Sequence, residues 1–406
     1  MNELPLYWTK PNLTHCECQL LSDEYVEHEG QPYRRILLDM DPFFPGGGGQ
    51  IPDEGWVNHR EAWPDEQTPR QIWVKGEAPL EASDSTVHWE VNATRRWKSR
   101  QRHTAQHMLS AALAKENRTT RSVGMENDVF SIETEGDDVT EELASRLILV
   151  FQQWVREQHP IKASKLPPHQ VGELRRPLSQ KSLKNNHVRI IDIQGIDRVG
   201  CGGIHLNHTG EAGVLLFLGT EKIRGRCRSR WMVGMAAEER CQTLNNQSRA
   251  IGTLLSQPPE NLLNRIQELL EERKKLNFAA KESSRLAGRL QASLLLSSLH
   301  TQPIASIQGG IMALDSAMEQ LLHSQLPLII LLGEQDAHGF LPWVMHCQDS
   351  GVYQDFRQNW LLLNQGVGGG KPPRYQGRIR GEPVKLLQKL QDWWKRYSDV
   401  PSSPLF

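Results

Sequence analysis

The chain has 406 residues, 23% of them charged, and a formal net charge of -1. That length predicts roughly two to four domains with proper cores. The balanced charge excludes a global basic field, so any RNA would have to meet a local patch. Six cysteines scattered through a long chain argue against a disulfide framework and for a reducing compartment. Met1-Asn2-Glu3-Leu4-Pro5 has neither a basic n-region nor an apolar run, and the stretch from Leu326 to Leu332 is far too short to span a bilayer. The expectation is a soluble, cytoplasmic protein with no membrane partner. The twelve tryptophans have no single explanation at this level.

Residues 1–92 carry short apolar runs punctuated by Pro and Gly. Arg34–Met40, Trp73–Lys75 and Val87–Val91 read as strands, and the segment predicts a small β-barrel. Within it, Asp41-Pro42-Phe43-Phe44-Pro45-Gly46-Gly47-Gly48-Gly49-Gln50 leads to Asp53 and Gly55. Four consecutive glycines cannot form a stable strand or helix interior. The functional reading is a loop whose bare backbone lies against a ligand, with Gln50 as a polar substrate contact. The plain reading is a surface linker. His15-Cys16-Glu17-Cys18 reads as a strand with an incidental cysteine pair rather than a metal cluster.

Residues 93–240 predict an α+β domain. A helix is expected over 103–115, where His103, Gln106, His107, Ser110 and Leu113 follow three-four spacing, so both histidines share a face. Glu141–Gln158 reads as an amphipathic helix and Val188–Ile193 as a strand leading to Cys201-Gly202-Gly203-Ile204-His205, with a further strand over Gly213–Leu218. Each pair, His103/His107 and Cys201/His205, is weak evidence alone. Together they offer three imidazoles and a thiol, the donor chemistry of a tetrahedral zinc site. Packed or solvated side chains are the alternative. His208 is a spare candidate, read as a neighbour of the site or a surface residue. Lys222, Arg224, Arg226, Arg228 and Arg230 alternate with other residues, and on one strand would present a basic row to phosphates.

Residues 241–300 predict a helical hairpin or short coiled coil, a spacer or dimer element, with a new helix starting at Pro258-Pro259 and an interrupted stripe through Leu262, Ile266, Leu269, Leu276, Leu286 and Leu290. Residues 301–406 predict an α/β domain with a buried strand at Leu328–Leu332 and a second Gly-rich loop, Gly366–Lys371, followed by Arg374, Arg378, Arg380, Lys385 and Lys389. That loop lacks the spacing of a P-loop or a dinucleotide fingerprint.

The stretch from His103 through Leu113 resembles the first metal motif of alanyl-tRNA synthetase editing domains and of the free-standing AlaX-type editing proteins. Cys201–His205 with Thr209-Gly210-Glu211 resembles the second, and Phe43–Gly55 resembles the glycine-rich loop of that family. Arg95-Arg96, Glu221, Gly225 and Arg228 also fall where the family has similar residues. The C-terminal part is similar to the DHH-associated domain of those synthetases. Asp41 departs from a usual Thr, Ile204 from a usual Thr between the ligands, and Gly46 from a frequent acidic residue.

The resemblance implies ATP-independent hydrolysis of mischarged tRNA(Ala), mainly Ser-tRNA(Ala) and also Gly-tRNA(Ala), because an alanine pocket rejects a smaller or near-isosteric side chain poorly. With no room for an aminoacylation domain before residue 41, the expectation is editing in trans. Zn2+ would be held by His103, His107, Cys201 and His205, with Gln50 beside the substrate and backbone N–H groups of Gly47–Gln50 facing the oxyanion. Four protein ligands, however, fill a tetrahedral ion. A non-catalytic tRNA-binding module and a zinc hydrolase of small esters or amides are the other readings. The leucine stripe adds a homodimer as an expectation.

Overall fold

Alternation of apolar and polar residues closes the first sheet. After a short helix, α1 (Leu6–Thr9), strands β1 (His15–His28), β2 (Gln31–Leu38), β3 (Gly55–Val57), β4 (Arg60–Pro64), β5 (Gln71–Lys75) and β6 (Thr86–Val91) form a closed barrel in the order β1-β2-β5-β4-β3-β6. Ile36, Leu38, Ile72, Val74, Val87 and Trp89 fill it, every second residue facing inward as the strand repeat requires. The computed structural model describes residues 4–65, 68, 70–81, 85–184, 186–223 and 225–399.

Helix α2 (Ala93–Lys115) begins ten residues before the expected start at 103. Asn92 caps it, its Oδ1 accepting from Arg95 N at 3.0 Å. The first half, with Arg95, Arg96, Lys98, Arg100 and Arg102, reads as a solvated run. Yet Arg96, Arg100 and Arg102 are buried, as are all residues from Ser99 to Leu113. Arg96 and Arg100 enter the interior because they find partners, whereas Arg102 is buried with its Nε and Nη1 unpartnered among the described residues. Arg96 donates to Asp53 Oδ2 (Nε, 3.1 Å), to Leu13 O (3.1 Å) and to Pro42 O. Arg100 donates to His205 O (2.7 Å) and Asn12 Oδ1 (2.6 Å).

Strands β7 (Thr120–Glu126) and β8 (Val129–Thr134) follow, then α3 (Glu141–Glu157), capped by Thr140, whose side chain accepts from Leu143 N at 3.2 Å. Leu143, Leu147, Phe151 and Trp154 form its buried face, as its apolar spacing predicts. After β9 (Ile161–Leu166), α4 (Gln180–Leu183), β10 (Val188–Ile193) and β11 (Asp197–Gly200) come β12 (Leu215–Ile223), β13 (Arg226–Val233) and α5 (Gly234–Leu255). The strands make two antiparallel sheets, β11-β10-β9 and β12-β13-β8-β7.

The expected basic row does not form one strand. Lys222 lies near the end of β12, Arg226, Arg228 and Arg230 lie on β13, and Arg224 is outside the described residues. The chain reverses at Gly225, whose φ is +76°. Three of the cations are paired: Arg228 with Glu133 and, at 3.6 Å, with Glu221, Arg226 with Glu133 at 4.0 Å, and Lys222 with Asp138 at 3.8 Å. Acids from neighbouring strands supply what the local sequence lacks.

Residues 1–250 and 251–406 form two compact units. In the second, a 3₁₀ turn at Pro259–Asn261 opens the helix α6 (Leu262–Leu299), so the expected helix start after the prolines is where the long helix begins. Leu276, Leu286 and Leu290 of its stripe are exposed. Strands β14 (Ile304–Ser306), β15 (Leu328–Leu332), β16 (Phe340–Cys347), β17 (Val367–Lys371) and β18 (Arg374–Arg380) form a sheet in the order β14-β15-β16-β18-β17, with helices α7 (Ile311–Leu321), α8 (Ser350–Phe356) and α9 (Pro383–Ser398). The second Gly-rich segment is thus an exposed edge strand, Val367↔Arg378 to Lys371↔Arg374, and not a loop. The fold is α+β, with an N-terminal barrel. Among the described residues no helix is long and apolar enough to cross a membrane.

Candidate metal centre

Four donor side chains from two segments meet beneath the glycine-rich loop. His103 and His107 stand one turn apart on α2, Cys201 follows β11, and His205 ends the ligand loop 201–205. Their ligand atoms all lie within 4.8 Å of one another. Cys201 Sγ is 3.4 Å from His103 Nε2 and 3.3 Å from His205 Nε2. Zinc–nitrogen and zinc–sulfur bonds of about 2.1 and 2.3 Å place neighbouring donors of a tetrahedron about 3.4–3.6 Å apart. The donor set and its spacing fit such an ion.

Each imidazole has its other nitrogen engaged. His103 Nδ1–H donates to Gln50 Oε1 at 2.8 Å. His205 Nδ1 is 3.3 Å from Thr104 Oγ1, which also accepts from Leu206 N at 3.1 Å. His107 Nδ1 faces Asp197 Oδ2 at 3.3 Å, an electrostatic contact rather than a well-aligned hydrogen bond. Asp197 is held in turn by Arg175, Nε to Oδ1 at 2.6 Å. All three rings therefore direct Nε2 inward, the arrangement outer partners impose on metal-binding histidines.

Electrostatics follow the geometry. Burial resists charge on Cys201, but the rings of His103 and His205 hold its thiol well below the ordinary value, and the thiolate is the metal-binding form. Burial also pulls His107 down, yet Asp197 and Cys201 outweigh it and raise its pKa to about 9. Burial, with His103 nearby, pushes His205 down to about 3.

The glycine-rich loop is shaped by its backbone. Gly46, Gly47, Gly48 and Gly49 have φ of +85°, +127°, +62° and +90°, a run that side chains resist. Gly47 and Gln50 exchange backbone hydrogen bonds (N to O, 2.9 and 3.0 Å), so those two N–H groups are already committed. Gly46–Gly48 line a cavity of about 320 Å³ with His103, Gln106, His107, Arg175, Arg176 and Cys201–Gly203. Asp53 fastens the loop from behind: its Oδ2 accepts from Phe44 N at 2.7 Å and from Arg96.

Gln50 is buried beside the ligands. Its Oε1 accepts from His103 and from Ile204 N (2.8 Å), and its Nε2 donates to Ile204 O (3.1 Å) and Ser99 Oγ (3.2 Å). Of the departures from the resembled family, Asp41 pairs with Arg70 at 3.0 Å, and Ile204 packs with Tyr7 and Phe44. His208 lies 3.8 Å from Glu211 and outside the four-ligand cluster. Cys16 and Cys18 lie on β1, one exposed and one buried. The sequence offered no sign of the parts of Asp197, Thr104 and Arg175. Asp197, four residues before Cys201, is a common residue whose partner becomes visible only when β11 lies along α2.

No protein-family model matches the chain. It is 26% identical to the alanine–tRNA ligase of Synechococcus sp. (strain JA-3-3Ab), over 91% of this chain and 44% of that protein. It is 25% identical to the alanine–tRNA ligase of Methanococcus maripaludis (strain C5 / ATCC BAA-1333), over 94% of this chain and 44% of that one. The chain spans less than half the length of these ligases. To the alanyl-tRNA editing protein Aarsd1 of Rattus norvegicus it is 24% identical over 87% of this chain and 88% of that protein. Over most of its length the chain is thus similar both to alanine–tRNA ligases and to the alanyl-tRNA editing protein Aarsd1.

Proposed function

We propose that the chain is an aminoacyl-tRNA hydrolase that deacylates mischarged tRNA(Ala), chiefly Ser-tRNA(Ala) and secondarily Gly-tRNA(Ala), at a zinc site in the cytoplasm. The observation that carries this reading is the convergence of His103, His107, Cys201 and His205 on the floor of a cavity walled by bare glycine backbone. The similarity to alanyl-tRNA editing proteins supports the substrate.

In this reading the four side chains hold Zn2+, and the bound ion supplies positive charge and Lewis acidity at the cavity floor. Gly46–Gly48 let the aminoacyl ester lie close to main chain. With the N–H groups of Gly47 and Gln50 paired, Gly48 N–H faces the developing oxyanion. Gln106 spends its Nε2 on Ser110 Oγ at 2.8 Å, which leaves its carbonyl oxygen to accept from the ammonium or hydroxyl of the seryl group. Gln50, committed to the ligand segments, acts as a positioning residue. The domain limits 1–92, 93–240, 241–300 and 301–406, and a homodimer through the exposed stripe of α6, are part of the same proposal.

One observation favours a second reading, a tRNA-binding module with a structural ion: four protein donors close a tetrahedral shell. The test is serine release from Ser-tRNA(Ala) by wild type and by Cys201→Ala, with zinc assayed and alanyl-tRNA(Ala) as control. Fast release lost together with zinc, the alanyl ester spared, establishes hydrolysis at the zinc site. Binding of tRNA without cleavage establishes the module.

A further inference from the structure

A second cavity lies on the carbonyl side of the ligand loop. Trp8 on α1 and Arg189 on β10 grip three successive loop carbonyls. Arg189 Nη1 donates to Cys201 O (3.0 Å) and Gly203 O (2.6 Å), and Trp8 Nε1 donates to Gly202 O (2.9 Å). The Arg189 guanidinium carbon sits 4.9 Å from the centre of the Trp8 ring. With Lys165, Ser164, His187 and Thr9 they line a cavity of about 280 Å³.

Its charge is one-sided. Among the described residues lining it there is no carboxylate. Lys165 and Arg189 are direct partners in the register of β9 and β10, where like charges facing each other are destabilising. An anion between them would relieve that repulsion. A half-buried indole beside two cations offers a stacking face and a phosphate contact at once, the combination that single-stranded RNA uses.

We propose that this cavity binds a nucleotide of the single-stranded acceptor end, one that precedes the adenosine carrying the amino acid. The proposal rests on the reading of the substrate as an aminoacyl-tRNA. Because Trp8 and Arg189 also hold the loop that carries Cys201, the same two side chains set the RNA in register with the metal ligands.

The test uses a Lys165→Ala/His187→Ala double variant of the full chain. Both side chains are exposed, and neither holds the ligand loop. The expected result is a KM for Ser-tRNA(Ala) raised about tenfold and a salt dependence of kcat/KM reduced by a slope of about one. Zinc content, kcat and cleavage of the seryl ester of adenosine stay at wild-type values. An unchanged KM, or an equal loss on seryl-adenosine, overturns the proposal. Fluorescence anisotropy of a short oligoribonucleotide ending in CCA separates this from the hydrolase reading. Binding by wild type that the double variant weakens supports the cavity even if no ester is cleaved. Equal binding by both overturns it and leaves the hydrolase reading in place.

Discussion

Gln50 Oε1 accepts from His103 Nδ1–H and from Ile204 N–H, each at 2.8 Å, so a single amide oxygen sets the position of both ligand-bearing segments. Removing it frees the His103 ring to rotate and the loop to drift. Gln50→Ala should weaken zinc binding about ten- to hundredfold, the cost seen when outer partners of metal ligands are lost. Competition with a chromophoric chelator measures this. Wild-type affinity in the variant, with activity lost, would show Gln50 touching substrate instead.

Asp197 faces His107 Nδ1 through an electrostatic contact where Gln50 hydrogen-bonds His103, and Arg175 keeps the carboxylate in place. Asp197→Ala should lower zinc affinity about tenfold or more, and Arg175→Ala by less, because the carboxylate survives. The visible spectrum of the cobalt-substituted protein checks the ligand geometry directly. An unaltered spectrum in Asp197→Ala would remove Asp197 from the site.

Gly203 has no room for a side chain: an added Cβ would lie 2.1 Å from His103 Cε1 and 2.4 Å from Gln50 Oε1. Gly203→Ala should lose zinc and deacylation while circular dichroism stays that of the wild type. Full zinc loading of this variant would mean that the ring and the amide are freer than their contacts indicate.

The buried pair of Asp53 and Arg96 should matter for stability rather than chemistry. Asp53→Asn leaves a buried guanidinium without its counter-charge, a change that costs about 3–5 kcal/mol. Urea unfolding followed by far-ultraviolet circular dichroism should show the loss. A cost under about 1 kcal/mol, the level of exposed pairs, would place the pair effectively in solvent.

The sequence shows the chemistry of the cluster better than its support. Histidine and cysteine are sparse, and two four-residue spacings make candidates of His103, His107, Cys201 and His205 without any fold. The barrel is legible too, because strands such as Gln71–Lys75 alternate between core and surface. The second half of helix α2 is legible from its three-four spacing, but the first half is not: its basic residues between 95 and 102 look solvated, and the burial of Arg96 and Arg100 rests on Asp53, Leu13, Pro42, Asn12 and the His205 carbonyl, all distant in sequence. The row from Lys222 to Arg230 errs for the reverse reason, since a turn and the acids of β8 and β12 lie outside any local window. Gly366–Lys371 has loop composition, yet pairing with β18 overrides it at the edge of a sheet.

Arg96 takes hold of Leu13, Pro42 and Asp53 at once, three stretches flanking the barrel strands, from within the helix that carries His103 and His107. The pocket is therefore no independent module docked on a barrel. Amide exchange should find that the early turns of α2 and the barrel open as one cooperative block. Occupancy of the four-ligand cluster would then report on the integrity of strands that never approach it.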